Sequence, residues 1–280
     1  MAVRVAIVTG GNRGIGLSTV KFLCKQFDGD VILCARDAER GGEAVALLEK
    51  EGLRPKLAQL DITDSSSIEQ LRDRLVNDYG GLDVLVNNAA IAYKHDSDVP
   101  FAEQAERTLQ VNYFDTATVC DILFPILKPH ARVVNVSSSL GMLSVVKGAG
   151  LRDRLTSPTL TRHDVDSLAH EFVKDVQTGA HLERGWPNSA YGTSKVLIAA
   201  LSFAQHRLLQ QDQRPDLVVN VVHPGYVDTE MTSHRGPLTP DQGCQSSVTA
   251  ALVPAGGEPR GQFIWSDCTI VDWVHDKKAD

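Results

Sequence analysis

Thr9-Gly10-Gly11-Asn12-Arg13-Gly14-Ile15-Gly16 is the stretch on which the reading of this chain turns. It follows an apolar, β-branched run, Arg4–Val8, and opens an amphipathic stretch, Ile15–Phe27, so the glycines stand where a strand hands over to a helix. Glycine there lets the backbone turn sharply and approach a ligand closely, while the first turn of the helix offers unsatisfied N–H groups to an anion. The pyrophosphate of a dinucleotide suits that arrangement, with Gly10, Asn12, Arg13, Gly14, Ile15 and Gly16 as the candidate cradle. The spacing is Gly-x-x-x-Gly-x-Gly rather than the commoner Gly-x-Gly-x-x-Gly. A glycine-rich turn that holds no ligand is the plain alternative.

Outward from this loop, short β-branched runs alternate with longer amphipathic stretches, the pattern of repeated βαβ units over a parallel sheet. Strands are predicted at Arg4–Val8, Val31–Ala35, Lys56–Leu60, Val84–Val86, Val133–Val136, Val218–Val222 and Phe263–Trp265. Helices are predicted at Ile15–Phe27, Ala38–Glu51, Ser67–Tyr79, Glu103–Leu127, Ala190–Gln210 and Asp241–Leu252. Several strands are apolar on both faces, as in a three-layer α/β/α domain whose sheet is covered by helices on each side. No repeat or linker divides residues 1–280, so one domain is expected. Only Met142–Gly185, a mixed polar stretch, interrupts the alternation.

The chain has 280 residues and a formal net charge of −7, with charges of both signs mixed along it. That balance argues against nucleic acid or an anionic membrane as partner. The N-terminus runs straight into a strand without a signal-peptide pattern, and no apolar run approaches the roughly 20 residues that cross a bilayer. A cytoplasmic protein is therefore expected. Cys24, Cys34, Cys120, Cys244 and Cys268 are odd in number and scattered among apolar neighbours, which reads as buried free thiols.

The end of the second strand, about 20 residues beyond the glycine loop, is where an adenine ribose lies in such folds. An acidic residue there accepts from the 2′-hydroxyl of NAD, but here Ala35 is followed by Arg36, with Arg13 in the loop. Two guanidinium groups suit a 2′-phosphate, hence NADPH. Asp37 competes with this reading, and a solvated surface arginine is its alternative. Asp61, followed by Ile62, either meets the adenine edge or caps a helix starting at Ile62-Thr63.

Tyr191-Gly192-Thr193-Ser194-Lys195 falls in a stretch whose apolar residues recur with helical period, so Tyr191 and Lys195 share one face. A phenol with a pKa of about 10 is protonated at neutral pH and can give that proton to an acceptor but recovers it slowly as a base, and a neighbouring ammonium favours its phenolate. The pair is a candidate proton donor and its tuner.

With these segments in register, the chain resembles the short-chain dehydrogenase/reductase family over nearly its whole length. Asn87-Asn88-Ala89-Ala90, Asn112, Ser137-Ser138 and Pro224-Gly225 complete the family's markers in order. The resemblance implies a Rossmann-like, doubly wound fold and a catalytic tetrad of Asn112, Ser138, Tyr191 and Lys195. It implies that Ser138, three residues before Gly141, steadies the carbonyl oxygen that Tyr191 protonates, with Ser139 as the lesser alternative. It gives Lys195 a second bond, to the nicotinamide ribose, and Asn112 a water that links Lys195 to solvent. Asn87 and Ala89 are placed by the adenosine ribose, where Asn87 has the alternative of tying strands together. Pro224, Gly225, Val227 and Thr229 are placed by the nicotinamide carboxamide. Tyr226, Met231 and Leu140 line the substrate pocket, with residues 226–240 as a lid. His223 reads as a packed or surface histidine, and no second ligand beside it suggests a metal.

Val8 to Leu17 and Glu183-Arg184-Gly185-Trp186-Pro187-Asn188-Ser189-Ala190-Tyr191-Gly192 narrow the likeness to the animal monomeric carbonyl reductases. Those bear Trp where this chain has Tyr226. The likeness implies reduction of aldehydes, ketones and quinones, and a monomer. Ser138 and Tyr191 are 53 positions apart, and within the inserted residues 142–187 the stretch Arg162–Val176 reads as an amphipathic helix. Its apolar face, Val165, Leu168, Ala169, Phe172 and Val176, is expected to cover the surface where a second subunit docks in relatives, unless it serves as a substrate lid. An NAD-linked alcohol or hydroxysteroid dehydrogenase and a dinucleotide sensor without turnover are the competing functions.

Overall fold

The computed structural model describes residues 3–94 and 96–278. Among these, the strands are β1 (Val5–Thr9), β2 (Asp30–Ala35), β3 (Lys56–Gln59), β4 (Leu82–Asn87), β5 (Leu127–Val136), β6 (Val218–Val222), β7 (Phe263–Ile264), β8 (Ile270–Asp272) and β9 (Lys277–Lys278). They form one sheet in the order β3-β2-β1-β4-β5-β6-β7-β8-β9. Pairings from β3 through β7 are parallel, and β8 and β9 add an antiparallel edge. The helices are α1 (Gly14–Gln26), α2 (Ala38–Lys50), α3 (Ser65–Tyr79), α4 (Phe101–Leu109), α5 (Thr116–Leu123), α6 (Ala149–Leu155), α7 (Arg162–Gln177), α8 (Ala190–Leu209), α9 (Pro240–Gly243) and α10 (Gln245–Ala251).

Side-chain alternation divides the layers. Val5 and Ile7 of β1 join Ile68, Leu71 and Leu75 of α3 and Leu123 of α5. Ala6 and Val8 face the other way, onto Val20 and Leu23 of α1, Leu48 of α2 and Ala250 of α10. Every residue of β1, β4 and β6 is buried, which is why these strands carry continuous apolar runs instead of a period of two.

The predicted helix Glu103–Leu127 is not one helix. A π-helical turn, Gln110–Asp115, separates α4 from α5, and a 3-10 turn at Phe124–Ile126 ends the run. Pro125 removes a backbone donor there, and Leu127 already pairs with Leu82, so β5 starts six residues before the predicted Val133. The predicted helix Asp241–Leu252 is also split, at Cys244, into α9 and α10. The β8 and β9 edge lies outside the predicted strands, because such short pieces carry too few residues for a period to show.

Residues 142–187 are ordered. Thr161 and Asp164 form a capping box at the start of α7, and Val165, Leu168, Ala169, Phe172 and Val176 are buried, the same five that the sequence places on the apolar face. They share a cluster with Ala105 and Leu109 of α4 and Leu197 and Leu201 of α8. Full burial of a side chain such as Phe172 stabilises by about 1.5–3 kcal/mol, so α7 is part of the core and is no loose flap.

All five cysteines are free, but only Cys34, Cys120 and Cys244 are fully buried, Cys24 and Cys268 being partly exposed. Burial pushes the thiols of Cys34, Cys120 and Cys244 up to about 12, far from reactive thiolates. Among the described residues, no helix is long and apolar enough to cross a membrane.

Candidate active site

Because β2 lies on one side of β1 and β4 on the other, the chain reverses its winding at β1, which opens a crevice beyond the carboxyl ends of β1 and β4. The glycine loop and the segment after β4 face each other across it. Thr9 Oγ1 accepts from the backbone N–H groups of Asn88 and Ala89, each at 3.0 Å. In return Asn88 Nδ2 donates to the carbonyls of Thr9 at 2.9 Å and Gly10 at 3.2 Å. A β-carbon on Gly16 would stand 2.3 Å from the Gly10 oxygen and 2.5 Å from Asn88 Nδ2, so this clasp requires glycine at 16. Gly10 and Gly14 take φ of +63° and +51°, the left-handed region that glycine enters at little cost. Arg13, in extended conformation at the N-cap of α1, makes no side-chain capping bond, which leaves the first-turn N–H groups without a side-chain cap.

Just after β2, Arg36 is exposed; its carbonyl accepts from Gln59 Nε2 at 3.1 Å, and among the described residues its guanidinium has no partner. Asp37 does not compete with it: its carboxylate caps α2, accepting from the Arg40 N–H at 3.0 Å. Arg13 is ion-paired with Glu230. Asp61 is not a helix cap. It accepts from Thr63 N at 3.0 Å and Thr63 Oγ1 at 2.8 Å, and the cap of α3 is Asp64. Ile62 packs into the core beside α3. The buried Nδ2 of Asn87 donates to Asn135 Oδ1 at 2.8 Å and to Cys120 Sγ at 3.2 Å, so its side chain ties β4 to β5, the alternative that the sequence left open for it. A glycine cradle, an uncapped helix start and an unpaired guanidinium fit a dinucleotide that carries a 2′-phosphate.

Tyr191 and Lys195 lie in the first turns of α8, which Ser189 caps through the Gly192 N–H at 2.9 Å. The Lys195 ammonium is 5.5 Å from the centre of the Tyr191 ring and donates to the Val136 carbonyl at 2.7 Å. Burial lowers Lys195 to about 8. Tyr191 departs from the expected direction: burial pushes its hydroxyl up to about 12, while a hydrogen bond with Ser138 pulls the other way. At 5.5 Å and turned to Val136, the ammonium does not offset that burial.

The neighbouring serines separate cleanly. Ser137 is buried and donates to the Lys195 carbonyl at 2.9 Å, whereas Ser138 is partly exposed, beside Tyr191, and accepts from Leu140 N at 3.2 Å. Asn112, in the π-helical turn, brackets Ile91, accepting from its N–H at 2.8 Å and donating to its carbonyl at 2.9 Å, and also donates to Ser194 Oγ at 3.1 Å. These contacts reach α8 at Ser194, one residue short of Lys195.

Pro224 and Gly225 follow β6 with Gly225 at a φ of +87°. Val227 is buried, its methyl 2.4 Å from where a Gly243 β-carbon would be, so only its backbone remains to face a ligand. Thr229 stands against the glycine loop, its methyl 3.2 Å from a β-carbon placed on Gly14. Leu140, Tyr226 and Met231 are 48%, 52% and 40% exposed, which leaves three large apolar side chains in the segments flanking Ser138 and the Pro224–Gly225 turn. A cavity of about 490 Å³ lies elsewhere, lined by Phe203, His206, Arg207 and Trp273 near the far end of α8.

The sequence reading passed over Thr9 and Asn88, whose side chains form the clasp, and Trp273, whose Nε1 donates to the Gly141 carbonyl at 2.7 Å. Asn88 stood inside a quoted motif, and the small Thr before the glycines is the only sign of its partner. Nothing in the sequence links Trp273 to residue 141.

The chain belongs to the short-chain dehydrogenase family, whose model matches residues 4–150. It is similar to NADPH carbonyl reductase 1 of Mus musculus, 44% identical over 96% of this chain and 98% of that one. NADPH carbonyl reductase 3 of Homo sapiens is 46% identical over 96% and 98%. Among solved structures, salutaridine reductase from Papaver somniferum superposes with a TM-score of 0.84 at 32% identity, covering 95% of this chain and all of that one.

Proposed function

We propose that this protein reduces aldehydes, ketones and quinones to alcohols with NADPH, and that Tyr191 is the proton donor. The observation that carries this reading is the convergence of Ser138, Tyr191 and Lys195 at the carboxyl end of β5, the edge of the sheet at which the glycine cradle follows β1. Similarity to NADPH carbonyl reductases supports both the chemistry and the cofactor.

NADPH, when bound, supplies the hydride. The chain's own residues do the rest. Gly10, Asn12, Gly14, Ile15 and Gly16 receive the pyrophosphate at the start of α1, and Arg36 with Arg13 binds the 2′-phosphate. Ala89 lies beside the adenosine ribose, while Asp61 and Ile62 border the adenine. Thr229 and the backbone of Val227, after Pro224 and Gly225, hold the carboxamide end. Tyr191, with its hydroxyl pushed up to about 12, is fully protonated at neutral pH and gives that proton to the carbonyl oxygen. The Ser138 hydroxyl donates to the same oxygen as negative charge develops there. Lys195 supplies positive charge and a donor beside the nicotinamide ribose. Asn112 anchors the loop after β4 to α8 and so fixes the turn that carries Tyr191 and Lys195.

Residues 226–240, with Tyr226 and Met231, form the substrate lid over Ser138 and Leu140. The protein acts as a cytoplasmic monomer, since α7 occupies the surface of α4 and α8. NADPH and NADH depletion measured separately over a panel of quinones, aromatic aldehydes and ketones tests the function. Turnover with NADPH is expected, and oxidation of neither cofactor by any member of the panel would overturn it.

A further inference from the structure

We propose that His223 is a positioning residue for Ser138: its neutral imidazole acts as a hydrogen-bond acceptor that locks the turn carrying that serine. This rests on the role given above to Ser138.

His223 directly follows β6 and is buried, 7% exposed. Its Nδ1 accepts from the backbone N–H of Ser139 at 3.0 Å and from that of Gly225 at 3.4 Å. One nitrogen therefore joins the turn that contains Ser138, after β5, to the Pro224–Gly225 turn after the neighbouring β6. A nitrogen that accepts carries no proton, which fixes the tautomer with hydrogen on Nε2. Burial lowers His223 to about 4, so the acceptor form persists across the physiological range. The ring is itself held, 4.3 Å from the ring of Trp265, and its own backbone is fastened at both ends. His223 N–H donates to the Ile264 carbonyl at 2.8 Å, and Ser246 Oγ donates to the His223 carbonyl at 3.2 Å.

The turn it meets begins at Ser138 and runs as a 3-10 helix over Ser139–Gly141. Its two leading N–H groups are satisfied differently, Leu140 by Ser138 Oγ itself and Ser139 by His223. Ser138 Oγ accepts inside the turn and is also hydrogen-bonded with Tyr191, so the turn sets where the serine meets the tyrosine. Without the His223 acceptor the Ser139 N–H loses its partner, and the turn is free to rotate so that Ser138 Oγ takes over that bond. The serine then leaves the position from which it donates to the substrate oxygen.

Two substitutions separate acceptor from packing. His223→Phe keeps a ring against Trp265 and removes the nitrogen, while His223→Asn discards the ring and keeps an oxygen near the position of Nδ1. The acceptor role predicts that the Phe variant loses about tenfold to a hundredfold in kcat, with KM for a quinone and NADPH affinity, read by tryptophan fluorescence, changed by less than about threefold. The Asn variant should recover most of the loss. In a Ser138→Ala background, His223→Phe should cost less than about twofold further, since what it positions is gone. An active Phe variant beside a crippled Asn variant overturns the proposal, as does an undiminished effect in the Ser138→Ala background. Failure of either variant to fold, seen by thermal unfolding, also counts against it, because the imidazole would then serve stability. Should Ser138→Ala itself turn over normally, it is the role of Ser138 that falls.

Discussion

The Lys195 ammonium and the Tyr191 phenol, 5.5 Å apart by the ring centre, are shifted by the same burial in opposite directions, the first down to about 8 and the second up to about 12. Both shifts disfavour the charged form. Carbonyl reduction therefore needs no deprotonation below pH 8, and kcat/KM should be level there. As pH rises through about 8, Lys195 loses its proton and the rate should fall, approaching tenfold per unit. A profile still level at pH 10 would show that the ammonium is not required.

The same shift bears on stability. Lys195 has a folded pKa below its unfolded value of about 10.4, so between pH 8 and 10.4 the unfolded chain binds more protons and stability rises with pH. Burying the ammonium at neutral pH costs roughly 3 kcal/mol, partly offset by its bond to Val136. Lys195→Met should abolish turnover and yet raise the thermal midpoint at pH 7, with the gain shrinking toward pH 10. A lowered midpoint at pH 7 would contradict the assignment.

Tyr191→Phe removes only a hydroxyl from a ring already packed at the start of α8. The fold and NADPH binding should survive, while turnover falls by about a hundredfold to ten-thousandfold, the range of a lost general acid. Near-normal rates across the carbonyl panel would defeat the mechanism.

Arg36 and Arg13, the two arginines proposed for the 2′-phosphate, differ in their surroundings: among the described residues the Arg36 guanidinium has no partner, whereas Arg13 is held by Glu230. Arg36→Asp should turn the preference from NADPH toward NADH by repelling the phosphate, at a cost of about tenfold to a hundredfold in NADPH affinity. Glu230→Gln should do the reverse, freeing Arg13 and tightening NADPH by a few fold without changing NADH. Calorimetric titration with both cofactors checks this pair, and equal responses of NADPH and NADH to either substitution would remove the arginines from the phosphate site.

Where chemistry and local periodicity coincide, the sequence was legible. The glycine loop, the Tyr191–Lys195 face and the apolar stripe of α7 each need only residues within a few turns of one another. What it hid depends on distant contacts. Asn112 sits in a π-helical turn with its side chain bracketing Ile91, 21 positions earlier, and helical period carries no trace of either feature. The bond from the Asn87 side chain to Asn135, on the next strand, is likewise set by a residue 48 positions away. The direction of the Tyr191 shift was misread for a related reason: a nearby lysine is visible in sequence, while the burial that outweighs it is not.

α7 supplies the last prediction. Its Val165, Leu168 and Phe172 are at most 1% exposed and close over α4 and α8, and Phe172 also meets Trp186 edge-on at 5.5 Å. Trp186 in turn donates from Nε1 to Asp175 at 3.0 Å, so α7 is pinned by a polar contact as well as an apolar one. Phe172→Ala should destabilise the protein by about 3–5 kcal/mol, the usual cost of emptying an aromatic site in a core. Sedimentation of the intact protein at micromolar concentration should give a monomer, because the face of α4 and α8 is already covered. Leu168→Asp, which loosens α7 without touching the cradle or Tyr191, should uncover that face and bring on concentration-dependent self-association. A stable dimer or tetramer of the unaltered protein would show instead that α7 leaves a subunit contact open.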